Sequence, residues 1–387
     1  MEIHQDCGSL PINRIRSPHQ IFNGAGHQMR VRLVFTKNPG RGLLLDIQLL
    51  TNTIEALGHQ VICDPQQRPS HTHVRLSNKW YYLIKRRCPA TLREALLKIQ
   101  RKARNLGWHG PHYDLTIHLE NVQPNRIQTG SKNWLIPNQE WFPQNHLHYL
   151  SDFDQILCKT KEADRIFKKY HPKTRFISFS SPRIPPEKIA QKNTFQKFLH
   201  IAGRSRFKGT LPIIEAWEKH PGWPTLELVC EETIVSQDLP PNVNHRSNLS
   251  VEEIQELWSK AEIVLIPSEV EGFGQVLLEA LAHGTVLITT NAPPMNELVT
   301  KERGFHVEYE HRASLGMGTR YLTTAKHIEQ TIQSVMDTPQ VDLQTLARRG
   351  RYWVENNHKF FLTEFTKLIK ELEKHHNKTK SRKIIIS

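Results

Sequence analysis

The chain has 387 residues, 38% hydrophobic and 23% charged. One hydrophobic core stops growing at roughly 250–300 residues, so the length predicts two domains, and the composition excludes wholesale disorder. Lys+Arg 52 against Asp+Glu 38 leaves a net charge of +14, which favours anionic partners.

No run approaches the ~18 continuous apolar residues of a membrane span. Residues 1–28 read as an irregular extension whose charges, Pro11 and Pro18 leave no apolar stretch of the signal-peptide kind, so export by that route is not expected. Cys7, Cys63, Cys88, Cys158 and Cys230 are odd in number, widely spaced and without a CxxC pair. That pattern predicts neither a disulfide framework nor a zinc ribbon, and points to a reducing, cytoplasmic setting.

Regular structure is expected to start with a strand at Val31–Phe35. The loop Asn38-Pro39-Gly40-Arg41-Gly42 follows, then an apolar-periodic helix from Leu43 to Leu57 closed by Gly58, then a strand at Val61–Cys63. Strand, glycine loop, helix and strand in that order open a doubly wound α/β domain. Thr91–Leu106 carries Leu92, Leu96, Ile99, Ala103 and Leu106 at helical spacing, with Arg93, Lys98, Arg101, Lys102 and Arg104 between them. Further strands are expected at Leu115–Leu119, Leu135–Ile136, Gln155–Cys158 and Arg175–Phe179. Ser180–Lys197 holds three prolines and no periodicity, and reads as a linker.

The pattern then restarts. A strand at Phe198–Ala202 leads through a Gly203–Gly209 loop to a helix with Thr210 as its N-cap and Pro212 in its first turn. Strands at Leu226–Cys230, Glu262–Pro267 and Val286–Thr290 alternate with helices at Val251–Lys260 and Gln275–His283. A helix from about Leu343 to Glu373 and a basic tail end the chain. Each half therefore alternates strand and helix, as two Rossmann-like domains in tandem would.

The chemistry concentrates in Glu262–Asn291, EIVLIPSEVEGFGQVLLEALAHGTVLITTN. Ligands of open α/β sheets bind outside the carboxyl ends of the strands, where the Ser268–Gly274 loop falls. Gly272 and Gly274 let the backbone approach a ligand, and the helix beginning near Gln275 turns its N–H groups and positive dipole end to the same place. Glu271 in the loop and Glu279 in the helix accept hydrogen bonds from vicinal hydroxyls. A ligand bearing both phosphates and hydroxyls fits that set.

This stretch resembles the signature of retaining GT-B glycosyltransferases of the GT4 type, in which EGFG and a second Glu eight residues on precede a glycine turn and an apolar strand. The resemblance implies that Glu271 contacts the donor sugar, that Glu279 binds the ribose, and that the amides of Gly272, Phe273, Gly274 and Gln275 face sugar and diphosphate. HIAGRSRFKG, residues 200–209, is similar to the family's first strand and loop, which implies that Arg204 and Lys208 grip the diphosphate. Two fixed cations there stabilise the departing diphosphate without a metal. Gly40 and Gly42 are similarly implied to approach the donor, and His118, on the LTIHL strand, to lie near the sugar. Glu297 resembles a family Glu that reaches the donor. Glu120, Asn138 and Glu140, beside Trp141 and Phe142, are candidates for the acceptor side.

No metal or other cofactor is expected. Asp152-Phe153-Asp154 precedes a strand rather than following one, and reads as an element boundary. His71/His73, His146/His148 and His375/His376 have no further ligand at metal spacing. Lys85-Arg86-Arg87 and the helix after it, residues 85–104, stay open to three readings: docking on an anionic membrane surface, tracking of nucleic acid, or a solvated face.

The expected fold class is α/β of the GT-B type, two Rossmann-like domains facing each other across a cleft. Residues 29–180 form the acceptor domain, 181–197 the linker, 198–350 the nucleotide-sugar domain, and 351–387 a C-terminal helix returning to the first domain with its basic tail. The expected reaction moves a sugar from a nucleoside diphosphate sugar, UDP- or GDP-linked, to a glycan or lipid-linked hydroxyl. The alternatives are a glycosyltransferase acting on nucleic acid, or a sugar-nucleotide epimerase or hydrolase on the same fold. The expected setting is cytoplasmic, peripheral to a membrane if the basic segment binds one.

Overall fold

A computed structural model of the chain describes residues 28–66, 113–127, 130–181, 194–235 and 238–386, plus isolated positions between 67 and 112, with side chains as far as Lys374. The N-terminal extension, most of the basic 85–104 segment, His71, His73, the centre of the linker and the side chains of His375 and His376 lie outside the described residues. Within the basic segment Leu92, Ala95, Leu96 and Ile99 are described; all four are helical, and Leu92 and Ile99 are exposed.

Two units divide the chain. Unit 1 takes the chain up to Lys159, Ala163–Ile177 and everything from Phe361 on; unit 2 takes Thr160–Glu162 and Ser178–Phe360. Each is an α/β unit around one parallel sheet.

Unit 1 is built on β1 (Arg30–Thr36), β2 (Gln60–Gln66), β3 (Tyr113–Glu120), β4 (Gly130–Pro137), β5 (Gln155–Cys158) and β6 (Thr174–Phe176), ordered β2-β1-β3-β4-β5-β6. All of its pairs are parallel. Helix α1 (Arg41–Ala56) buries Leu43, Ile47, Leu50 and Ile54, the 3.6-residue stripe that packs it on the sheet. It starts two residues earlier than the apolar pattern suggests, so Gly42 is a helical residue and not a loop residue. Arg32, on β1, is wholly buried. Its guanidinium lies 3.5 Å from Asp64 and 4.4 Å from the Tyr113 ring centroid, and donates to Thr116 Oγ1 at 3.2 Å. The short helix α2 (Lys161–Phe167) follows β5.

Unit 2 holds β7 (Phe198–Gly203), β8 (Leu226–Cys230), β9 (Val243–Arg246), β10 (Ile263–Ile266), β11 (Val286–Thr290) and β12 (Gly304–Val307). Read from β9, the order β9-β8-β7-β10-β11-β12 is the 3-2-1-4-5-6 arrangement of dinucleotide-binding sheets. Its helices are α3 (Thr210–Lys219), α4 (Val251–Lys260), α5 (Gln275–Ala282), α6 (Met295–Leu298) and α7 (Ala325–Met336). Helix α4 starts at a capping box: Glu253 N–H donates to Ser250 Oγ at 3.2 Å, and Ser250 N–H to the Glu253 carboxylate at 2.7 Å. Ile213, Trp217, Leu228, Ile263, Leu265, Ile288, Ile328 and Ile332 meet in the core. Each such side chain contributes roughly 1.5–3 kcal/mol on burial.

Two further elements complete the unit. Strands β13 (His311–Leu315) and β14 (Gly318–Leu322) form an antiparallel hairpin. Helix α8 (Gln340–Ile386) begins in unit 2 and continues into unit 1, where Phe361, Phe365, Leu368 and Ile369 are buried. Within unit 1 the Phe365 ring meets Trp134 edge-on at 6.4 Å, and His59 lies 2.8 Å from Glu373.

Several local expectations need correction. The N-cap of α3 is Gly209, with φ 71°, and Thr210 is the first helical residue. Strand β6 covers three residues, not the five of Arg175–Phe179. Cys63 is disulfide-bonded, so wide spacing and an odd count did not exclude a bond; Cys158 and Cys230 are free and buried. Among the described residues no helix is long and apolar enough to cross a membrane.

Candidate functional site

The strand order of unit 2 reverses between β7 and β10, which are parallel neighbours. Loops leaving the carboxyl ends of two such strands run in opposite directions and open a crevice. Here they are residues 204–209 and 267–274.

The two loops touch so closely that one position tolerates no side chain. A Cβ on Gly209 would lie 2.5 Å from the Pro267 carbonyl oxygen, and its φ of +71° already favours glycine. The contact brings Lys208 to Glu271. The Lys208 ammonium contacts Glu271 Oε1, and Ser268 Oγ donates to the same oxygen at 2.6 Å. Both side chains are mostly buried, at 15% and 9% exposure. A charge-assisted bond with so little water around it is stronger than a surface pair and fixes both groups. Arg204 differs. Its side chain is 90% exposed and its Nε lies 2.9 Å from Glu231. An exposed pair of that kind is worth at most about 1 kcal/mol, so its guanidinium re-aims at little cost.

Gly274, at φ +100°, caps α5, and its carbonyl accepts the Leu277 amide at 2.9 Å. The first-turn amides of the helix point, with the positive dipole end, toward the loop. The Phe273 ring is core, packed edge-on against Phe179 at 5.8 Å, so only the backbone of Phe273 serves the loop. The Gln275 side-chain amide donates to the Ser180 carbonyl at 3.0 Å. Glu279 is half-buried on the next turn. The structure thus brings Lys208, Glu271, Gly272, Phe273, Gly274 and Gln275 together in one unit, with Arg204 and Glu279 on the same loop–helix pair.

Behind the loops His200 spans three elements. Its Nδ1 lies 2.6 Å from the Leu265 carbonyl and its Nε2 2.8 Å from Thr210 Oγ1. A carbonyl can only accept, so Nδ1–H donates, and Nε2 accepts from the Thr210 hydroxyl. Burial lowers its pKa to about 4, so the ring is neutral.

Glu297 is placed differently from the expectation. Its two oxygens accept the Lys161 and Glu162 amides, each at 2.8 Å, which assigns it to anchoring residues 160–162.

In unit 1 the order reverses between β1 and β3. Gly40 caps α1 there, with an ordinary φ of −69°, and nothing lies within 4 Å of the place a methyl group would take. His118 does not present an open ring. It is wholly buried, its Nδ1 accepts the Gln123 amide at 3.1 Å, and its ring meets Phe153 edge-on. Burial first, then the Arg32 charge, lowers its pKa to about 3. Those contacts hold the ring against the 121–126 loop. Glu120, at φ 63°, accepts the Asn138 side-chain amide at 3.2 Å, and Asn138 and Glu140 are buried. His146, held neutral by burial with a pKa near 4, bonds Asn121 Oδ1 at 2.8 Å. Asp154 of the DxD bonds Lys132 and the Asn133 amide, as a strand boundary does.

Sequence reasoning missed Glu231, Glu269 and Arg320. Glu269 was visible inside the loop motif, but its partner Arg320 lies on the hairpin, 51 residues away.

Residues 224–327 match the family of glycosyl transferases group 1, a span covering most of unit 2 after β7 and including the Glu271 loop. Over 181 residues the chain is 28% identical to an MMP alpha-(1->4)-mannosyltransferase of Mycolicibacterium hassiacum, covering 46% of this chain and 38% of that protein. The chain therefore spans well under half of that relative's length. A glycosyltransferase from Rickettsia africae superposes with a TM-score of 0.62 at 15% identity, over 89% of this chain and 99% of that one. Anabaena HepE, solved with UDP and glucose, gives 0.59 at 14% identity, over 89% and 100%. The two Rossmann-like domains share the GT-B fold of these solved neighbours, and residues 224–327 of the second are similar to the group 1 family.

Proposed function

We propose that the chain is a metal-independent glycosyltransferase that moves a sugar from a nucleoside diphosphate sugar to a hydroxyl acceptor, with retention at the anomeric carbon. The observation that carries the reading is the Lys208–Glu271 contact across the β7/β10 reversal, beside the first turn of α5. In this reading the bond from anomeric carbon to diphosphate oxygen breaks, the acceptor oxygen bonds to that carbon, and the acceptor proton passes to the diphosphate. Lys208, Arg204 and the first-turn amides of α5 balance the charge that builds on the leaving group. Glu271 accepts hydroxyls of the sugar, and Glu279 those of the ribose. A uridine donor is favoured because the Anabaena neighbour was solved with UDP and with UDP-glucose. The net charge of +14 favours an anionic acceptor or an anionic surface bearing one.

The test is nucleoside diphosphate release from UDP-, GDP- and ADP-sugars, with wild type and Glu279→Ala side by side, in the presence of glycan, lipid-linked and polynucleotide acceptors. Release from one donor, lost in the variant, is the expected result. Equal release by both proteins removes Glu279 from the ribose site; no release under any condition removes the reading.

A further inference from the structure

The β13–β14 hairpin joins neither six-stranded sheet. One of its residues nevertheless reaches both loops of the candidate site. Arg320, on β14, donates from Nε to Glu269 Oε2 at 2.9 Å, and its Nη2 contacts the same oxygen. Its guanidinium carbon stands 4.7 Å from the centroid of the Phe207 ring. The backbone adds two more ties: Glu269 N–H donates to the Phe207 carbonyl at 2.8 Å, and Tyr321 N–H to the Glu269 carbonyl at 2.7 Å.

Three segments distant in sequence are thereby stapled at one point. Phe207 adjoins Lys208, and Glu269 stands two residues before Glu271. The staple therefore lies directly behind the Lys208–Glu271 contact. Arg320 and Glu269 are 29% and 17% exposed, so water screens the pair only in part. A planar guanidinium can bond a carboxylate in its plane while its face covers an aromatic ring, and lysine cannot do both.

We infer that Arg320 is a positioning residue: it holds the 203–209 and 268–274 loops in register, and so sets where Lys208 stands relative to Glu271. The effect on turnover rests on the proposed donor site, whereas the effect on loop order rests on geometry alone. Catalysis by fixed charges is sensitive to placement, and a misplacement of about 1 Å costs on the order of a hundredfold.

The experiment pairs two readouts on Arg320→Ala, Arg320→Lys and Glu269→Gln. Amide hydrogen exchange is compared first. Faster exchange in 203–209 and 268–274 is expected in Arg320→Ala, with the β10 and β11 core unchanged. Donor turnover is compared next. A fall in kcat of about ten- to a hundredfold is expected, larger than any rise in donor KM, with part recovered in Arg320→Lys. The double variant Arg320→Ala/Glu269→Gln should fall no further than the worse single one, since both break one staple. Unchanged exchange in both loops overturns the inference. A lower Tm with kcat per folded molecule intact also overturns it, because Arg320 would then act on stability alone. If wild type turns over no donor, the proposed function fails and the exchange result alone decides the staple.

Discussion

Both units reverse their strand order, and the two reversals are built differently. At β7/β10 a cation and a carboxylate meet across two loops that glycine lets touch. At β1/β3 the described contacts are of another kind: His118 and His146 are held uncharged by burial, the Asn138 amide bonds Glu120, and the nearby Arg32 charge pairs with Asp64 within the sheet. The same topological position thus carries a cation–carboxylate contact between two loops in one unit, and neutral histidines beside an amide–carboxylate pair in the other. A crevice at a switch point is an opportunity for binding, and side chains decide what is bound.

The contrast can be broken most directly at Glu271. Glu271→Gln keeps the shape and the Ser268 bond but removes the charge facing Lys208, and turnover should fall about 10²–10³-fold, read by nucleoside diphosphate release. A fall below tenfold would remove Glu271 from the chemistry. Next in size, Gly209→Ala places a methyl against the Pro267 carbonyl at a left-handed φ, and should cost about 3 kcal/mol in urea unfolding.

His200 gives a third test, through pH. The unfolded imidazole takes up a proton near its ordinary value of 6.5 and the folded one only near 4, so the unfolded state binds more protons between those values. Stability is full above the unfolded pKa and is lost as pH falls toward the folded one, about 2 kcal/mol by pH 5. Unfolding curves at pH 7.5 and 5 measure the loss, and His200→Gln should reduce it by about that amount, leaving the shares of His118 and His146. The smallest effect is expected at Gly40→Ala, within about 0.5 kcal/mol, because nothing lies within 4 Å of the added carbon. If that variant keeps its stability but loses turnover, the β1/β3 reversal also meets the ligand, and the contrast between the units narrows.

The two loops at the β7/β10 reversal were legible because their residues are local. Gly272, Gly274, Glu271 and Glu279 fall within nine residues of one strand–loop–helix unit, and Lys208 follows a recognisable strand. His118 was not legible. Ile117, His118 and Leu119 are all buried, so β3 is covered on both faces and no alternation marks the side on which the ring lies. Strands β9 and β12 are four residues each, and β13 is almost wholly exposed, which leaves little periodicity to read. Helix α7 does carry a readable pattern, with Ala325, Ile328, Ile332 and Val335 at helical spacing. The Arg320 staple had no sequence signal, since its three segments meet only after folding.

Helix α8 bears on how the chain is made. Unit 1 leaves the ribosome first, yet Phe361, Phe365, Leu368 and Ile369 of its buried set are translated among the last residues described. Its apolar seat around Trp134 must therefore wait, uncovered, while the whole of unit 2 is synthesised. Synthesis order and completion order are reversed: the second unit can close its sheet before the first has all its parts.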